Sequence, residues 1–83
     1  MGDGWLRNPG LGWTYRFHRD DRSWIRDPKV FVDLGKGMSD GSPAPLKTRR
    51  HLRREEAEAM WRDLLRQGWQ KVPPVWGPES EEP

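Results

Sequence analysis

The chain has 83 residues, 33% hydrophobic and 34% charged, with nine Gly, eight Pro and no Cys. That length supports one small domain with a thin core and excludes a large cofactor-binding fold, and the lack of cysteine excludes a disulfide framework or a thiolate metal site. Fifteen Lys and Arg against thirteen Asp and Glu give +2, and setting aside Glu79, Glu81 and Glu82 leaves fifteen against ten, which makes room for an anionic partner.

In chain order, Gly4-Trp5-Leu6-Arg7 reads as a short strand running into the turn Asn8-Pro9-Gly10. From Trp13 to Arg19 the residues alternate strictly, with Trp13, Tyr15 and Phe17 on one face and Thr14, Arg16 and His18 on the other. Asp20 to Ser23 forms a polar turn, and residues 23–26 read as a brief strand before Asp27-Pro28. Alternation resumes at residues 29–34, where Val30, Val32 and Leu34 oppose Lys29, Phe31 and Asp33. The stretch GKGMSDGSPAP, residues 35–45, has neither helical nor strand periodicity and reads as a flexible loop. It also lacks the fixed offsets of a phosphate loop.

Residues 47–54, KTRRHLRR, concentrate Lys47, Arg49, Arg50, Arg53 and Arg54 around His51. The helix that follows, over 55–67, places Ala57, Met60, Trp61, Leu64 and Leu65 on one stripe. Glu58 and Arg62, four apart, are expected to pair for about 0.3 kcal/mol. Gly68 ends the helix in the left-handed conformation, with Trp69 folding back on Leu64. Residues 69–72 read as a last strand, Pro73-Pro74-Val75-Trp76 as an extended strap over the core, and 77–83 as an acidic disordered tail.

The predicted fold is α+β: a three- to four-stranded antiparallel meander packed against one C-terminal amphipathic helix, in a single domain over residues 1–76. Trp13, Tyr15, Phe17, Val30, Val32, Met60, Trp61 and Leu64 are expected at its center. A sheet covered on one side leaves its other face open, which allows a homodimer.

The order of signals resembles a small uncharacterised family of marine cyanobacterial proteins. It is carried by Gly4-Trp5-Leu6, Arg16 to Asp20 with Ser23-Trp24, Val30 to Asp33, Arg54-Glu55-Glu56-Ala57 with Trp61, Gly68-Trp69, and finally Pro74 and Trp76. The resemblance covers residues 4 to 76 and implies a cyanobacterial cytosolic setting but no activity. The chain departs from the family pattern at Arg53, where a Ser or Thr helix cap is expected.

Two functional readings follow. The first is a non-catalytic protein-interaction or assembly module, anchored by whichever tryptophans stay exposed, Trp24 or Trp76. The second is a nucleic-acid or polyanion-binding module using Lys47, Arg49, Arg50, Arg53 and Arg54 with Arg16 and Arg19, helped by free N–H groups at the helix start. The first ranks ahead because +2 is modest for a nucleic-acid binder. No catalytic constellation, cofactor motif or metal-ligand spacing is found: His18, Asp20, Asp21 and Ser23 read as a turn, and His18 and His51 stand 33 residues apart. No apolar run approaches the roughly 20 residues of a membrane span, and Met1 to Gly4 begins no leader pattern, so a soluble cytoplasmic protein is expected.

Overall fold

The computed structural model describes residues 4–36 and 46–75. Five strands, β1 (Gly4–Arg7), β2 (Trp13–Arg19), β3 (Lys29–Lys36), β4 (Leu46–Arg53) and β5 (Gln70–Lys71), and one helix, α1 (Arg54–Arg66), form an α+β domain. Every strand pairing is antiparallel, and the sheet order is β4-β3-β2-β1-β5.

The strand count exceeds the expected three to four because the basic run is itself a strand. Its residues alternate between the two faces in register with β3, where Arg49 faces Asp33, His51 faces Phe31 and Leu52 faces Val30. So many cations mask that period: Leu52 is the strand's one apolar residue after Leu46. Residues 23–26, by contrast, form a turn and not a strand. Their backbone is taken up locally, since the Asp20 carbonyl accepts from the Ser23 N–H at 3.1 Å and the Ser23 carbonyl from the Asp27 N–H at 3.1 Å. Gly35 and Lys36, read as the start of the loop, belong to β3; the rest of that stretch, residues 37–45, with Trp76 and the tail at 77–83, lies outside the described residues.

The helix covers one face of the sheet. Leu6, Phe17, Val30, Val32, Ala57 and Leu64 are buried there, with Tyr15, Trp24, Leu52, Met60, Trp61 and Trp69 packed around them. Trp61 meets Phe17 edge-on, centroids 5.1 Å apart, the arrangement that sets a positive ring edge against a negative face. Close approach at this point depends on Gly4: a Cβ there would lie 2.6 Å from Cη2 of Trp61. Trp13 departs from its expected central place. It sits outside the core cluster and carries the ammonium groups of Lys36 and Lys47 at 5.1 and 5.0 Å from its ring.

The helix ends as its sequence predicts. Gly68 adopts φ +98°, its N–H donates to the Leu65 carbonyl, and the Trp69 N–H reaches back to the Leu64 carbonyl. Those two bonds define the glycine-terminated cap and bring Trp69 onto the core beside Tyr15, 5.1 Å away. At the start, Arg53 occupies the cap position in extended backbone, and the Glu56 carboxylate accepts its N–H at 3.3 Å. The acid at the third helical position thus does half the work that a Ser or Thr cap would share. Glu58 pairs backward with Arg54 at 3.5 Å, in place of the expected Arg62.

Because no atom lies within 4 Å of a Cβ built on Gly68, replacing it costs backbone strain alone. Gly68→Ala is expected to lower stability by about 1 kcal/mol, a fall in Tm of roughly 4–8 °C for a domain of this size. Thermal denaturation followed by far-ultraviolet circular dichroism checks this, and an unchanged Tm would contradict it.

Candidate functional site

The helix leaves the opposite face of the sheet to a different chemistry. Antiparallel register lays Trp5, Arg16, Asp33 and Arg49 in one row across β1 to β4, and His18, Phe31 and His51 in the next row across β2 to β4. In the second row the rings stack on one another: Phe31 lies 4.6 Å from His51, nearly parallel to it, and 5.3 Å from His18. In the first row, the guanidinium of Arg16 lies 5.2 Å from the Trp5 ring, which is buried beside Leu46, Val72 and Val75.

Asp33 joins the two rows. Its carboxylate is fully buried and accepts from Nε and Nη2 of Arg49 at 2.7 and 2.9 Å, and from Nε2 of His18 at 2.7 Å. Burial pushes this carboxyl up, but the hydrogen bonds from Arg49 and His18, with their charges, outweigh it and hold the group below the ordinary carboxylate range. Asp20 does the same at the edge of the face. Its Oδ2 faces His51 Nε2 at 2.9 Å and its Oδ1 accepts the Arg22 N–H at 3.1 Å. There too the desolvation that would raise its pKa is overcome by those bonds, so the group is lowered. Between them lies a cleft of about 430 Å³, walled by His18, Phe31, Arg49, Arg19 and Arg22 together with Asp20 and Asp21.

This arrangement decides what each predicted residue has to offer. Arg49 is committed to Asp33 and lies 5.0 Å from the Phe31 ring. Arg54 is held by Glu58, its N–H donates to the Pro28 carbonyl at 2.9 Å, and its guanidinium lies 5.8 Å from Trp24. Arg19 lies 5.1 Å from the same ring and 3.3 Å from Asp21. Trp24 is therefore half-buried on the core with two arginines over it, and does not stand out as an exposed anchor. The N–H groups of Arg53 and Arg54, expected to be open to an anion, go to Glu56 and Pro28. Lys47, Arg50 and Arg53 remain exposed along β4, with Arg50 Nη1 3.9 Å from Met60 Sδ.

Asp33, His18, His51, Phe31 and Asp20 were not legible as a group. Lys29, Phe31 and Asp33 are recognisably one face of a strand, but which strands flank that face depends on a pairing partner that does not look like a strand. Among the described residues, no group of three or more His, Cys, Asp or Glu is placed to hold a metal, and no helix is long and apolar enough to cross a membrane.

Since folding lowers the pKa of Asp33, its ionised form contributes stability that is complete above the unfolded value of about 3.9 and is lost as pH falls through the lower folded value. Asp33→Asn is expected to cost about 2 kcal/mol at pH 7, where charged hydrogen bonds are lost, with the gap to the native chain narrowing below pH 4. Urea unfolding at pH 7, 5, 4 and 3 measures both, and a gap constant down to pH 3 would show that the carboxylate's charge is not what holds the face.

No curated protein and no solved structure matches the chain. A family model described as a protein of unknown function matches residues 3–76, which take in every described element of the fold. The chain belongs to that family, DUF1651.

Proposed function

We propose that the protein is a non-catalytic interaction module whose docking element is the basic edge strand β4. The observation that carries this reading is the strand's position: eight residues long, at the border of the sheet, with Lys47, Thr48, Arg50, His51 and Arg53 all exposed. A border strand keeps outward backbone N–H and C=O groups that an extended segment of another chain can satisfy, and cations along it select an acidic one. Two β4 strands would set arginine against arginine, so the partner is a different chain and not a second copy. The cytoplasmic, cyanobacterial setting implied by the sequence resemblance belongs to the same proposal.

Polyanion binding through residues 47–54, with Arg16 and Arg19, is the second reading. It is favoured by Arg16 and Trp5 sharing a face with Arg49 and Phe31, a closer interleaving of cations and rings than β2 alone offers. Against it, Asp20, Asp21 and Asp33 stand among those cations and would repel phosphates, and the rings of His18, Phe31 and His51 stack on each other and not outward.

Titration of the full chain with a short acidic peptide and with a single-stranded oligonucleotide, each over a range of salt and followed by amide hydrogen exchange, separates the two. The interaction reading expects the peptide to protect amides within residues 46–53 and its binding to weaken about tenfold in Arg50→Glu/Arg53→Glu. Oligonucleotide binding with a salt slope near −3, with no amide of residues 46–53 protected by the peptide, would overturn it in favour of the polyanion.

A further inference from the structure

Two hydrogen bonds fix which backbone groups of β4 face outward. The Arg54 N–H donates to the Pro28 carbonyl at 2.9 Å, one step beyond the Lys29–Arg53 pair. Toward β2, the Asp20 N–H donates to the Lys29 carbonyl at 2.9 Å. Bonded and non-bonded pairs alternate in an antiparallel ladder, so Arg50 and Leu52 bond to β3, whereas His51 and Arg53 turn their backbone groups away from it. Arg53 is closed all the same: the Glu56 carboxylate takes its N–H at 3.3 Å, and as the residue capping α1 it gives its carbonyl to the first helical bond. His51 is thus the last rung that β4 presents before the helix. Its side chain faces the same way. Nε2 is held by Asp20 at 2.9 Å and one face lies on Phe31 at 4.6 Å, yet the side chain is 40% exposed. Phe31 in turn lies 5.3 Å from His18, so a row of rings crosses the sheet and stops at its border.

We infer that β4 docks an extended, antiparallel segment carrying an aromatic residue opposite His51, which exchanges both backbone hydrogen bonds with it and lengthens the row of rings by one. The inference rests on the reading of β4 as a docking edge and specifies the partner's register and the residue at its center. The pair formed there would be a bonded one, as His18 and Phe31 are, so those two rings are its template: a tilted stack with centroids about 5.3 Å apart. Charge plays no part at that position, because Asp20 holds the edge of the imidazole and the new contact is with its face. A second β4 centred on the same rung would set Arg49 against Arg53 on both sides of it, so the occupant is a different chain. A nucleobase supplies a ring without the backbone, and would leave the His51 amide open.

The test uses the full chain with a short acidic peptide bearing one central Phe, the same peptide with Leu in its place, and two forms of the first that are N-methylated at the Phe or at the residue after it. Nuclear magnetic resonance follows amide exchange and the His51 ring protons, and calorimetry measures affinity. The Phe peptide is expected to protect the His51 amide, leave Arg53 unchanged, shift the His51 ring protons upfield, and bind about fivefold more tightly than the Leu peptide. Methylation at the Phe nitrogen should weaken binding about tenfold, and at the next residue, whose N–H points away from β4, less than about twofold. His51→Ala should erase the preference for Phe over Leu, and His51→Phe, which keeps a ring, should retain it. If the peptides protect other amides of residues 46–53 but not that of His51, or Leu serves as well as Phe, the inference is overturned and the docking edge stands. If no amide of residues 46–53 is protected, or only an oligonucleotide shifts the His51 ring, both are overturned.

Discussion

A carboxylate removed from water in the middle of a sheet must be met by cations and N–H donors, or it is protonated and the strand slides to rid itself of the burden. Asp33 is so placed, and what meets it comes from the strands on either side: His18 from β2 and Arg49 from β4. Its pairing fixes β4 in a register that its own composition specifies poorly, since a run of Lys, Arg and His offers little apolar pattern to choose between faces. With Arg49 locked, His51 falls beside Phe31 and within reach of Asp20, and Leu52 turns toward the core. The basic strand is therefore ordered by electrostatics on one face and by a single leucine on the other.

The two faces divide the aromatic residues between them. Trp61, Trp69 and Trp24 build the helix side with Tyr15 and Phe17, which gives so small a domain the apolar area it needs. Trp5 turns the other way, because the strand that sends Leu6 into the core must send its neighbours out. Trp13 keeps to the helix-side parity but lies outside the core cluster, where its ring becomes a platform for two lysines. Of the five described tryptophans, three pack on the helix-side core, Trp5 is buried in a small cluster on the other face, and Trp13 belongs to neither.

The parts of this fold readable in the sequence are those in which one physical signal stands alone. Strict alternation marked β2 and β3, the stripe from Ala57 to Leu64 marked α1, and Gly68 marked its end. Signals that overlap were misread. In the basic run, charge hid strand periodicity; in residues 23–26, apolar Trp24 and Ile25 suggested a strand where Asp20 and Ser23 had already claimed the backbone. The site was less legible than the fold for a related reason. Arg49 and Arg16 were named as cations, yet Asp33, which decides how much charge they have left to offer, lies 16 residues from Arg49 and reaches it only through a pairing that the local sequence does not announce.

The far border of the sheet is unlike the near one. β5 contributes only two residues to the ladder, at Leu6 and Arg7, and is followed after Val72 by Pro73 and Pro74, which have no N–H to offer. Under the proposed docking at β4, lateral growth is consequently one-sided: among the described residues the β5 border offers a joining chain no ladder of matching length, so the complex stays discrete where a sheet with two long borders would propagate into a fibril.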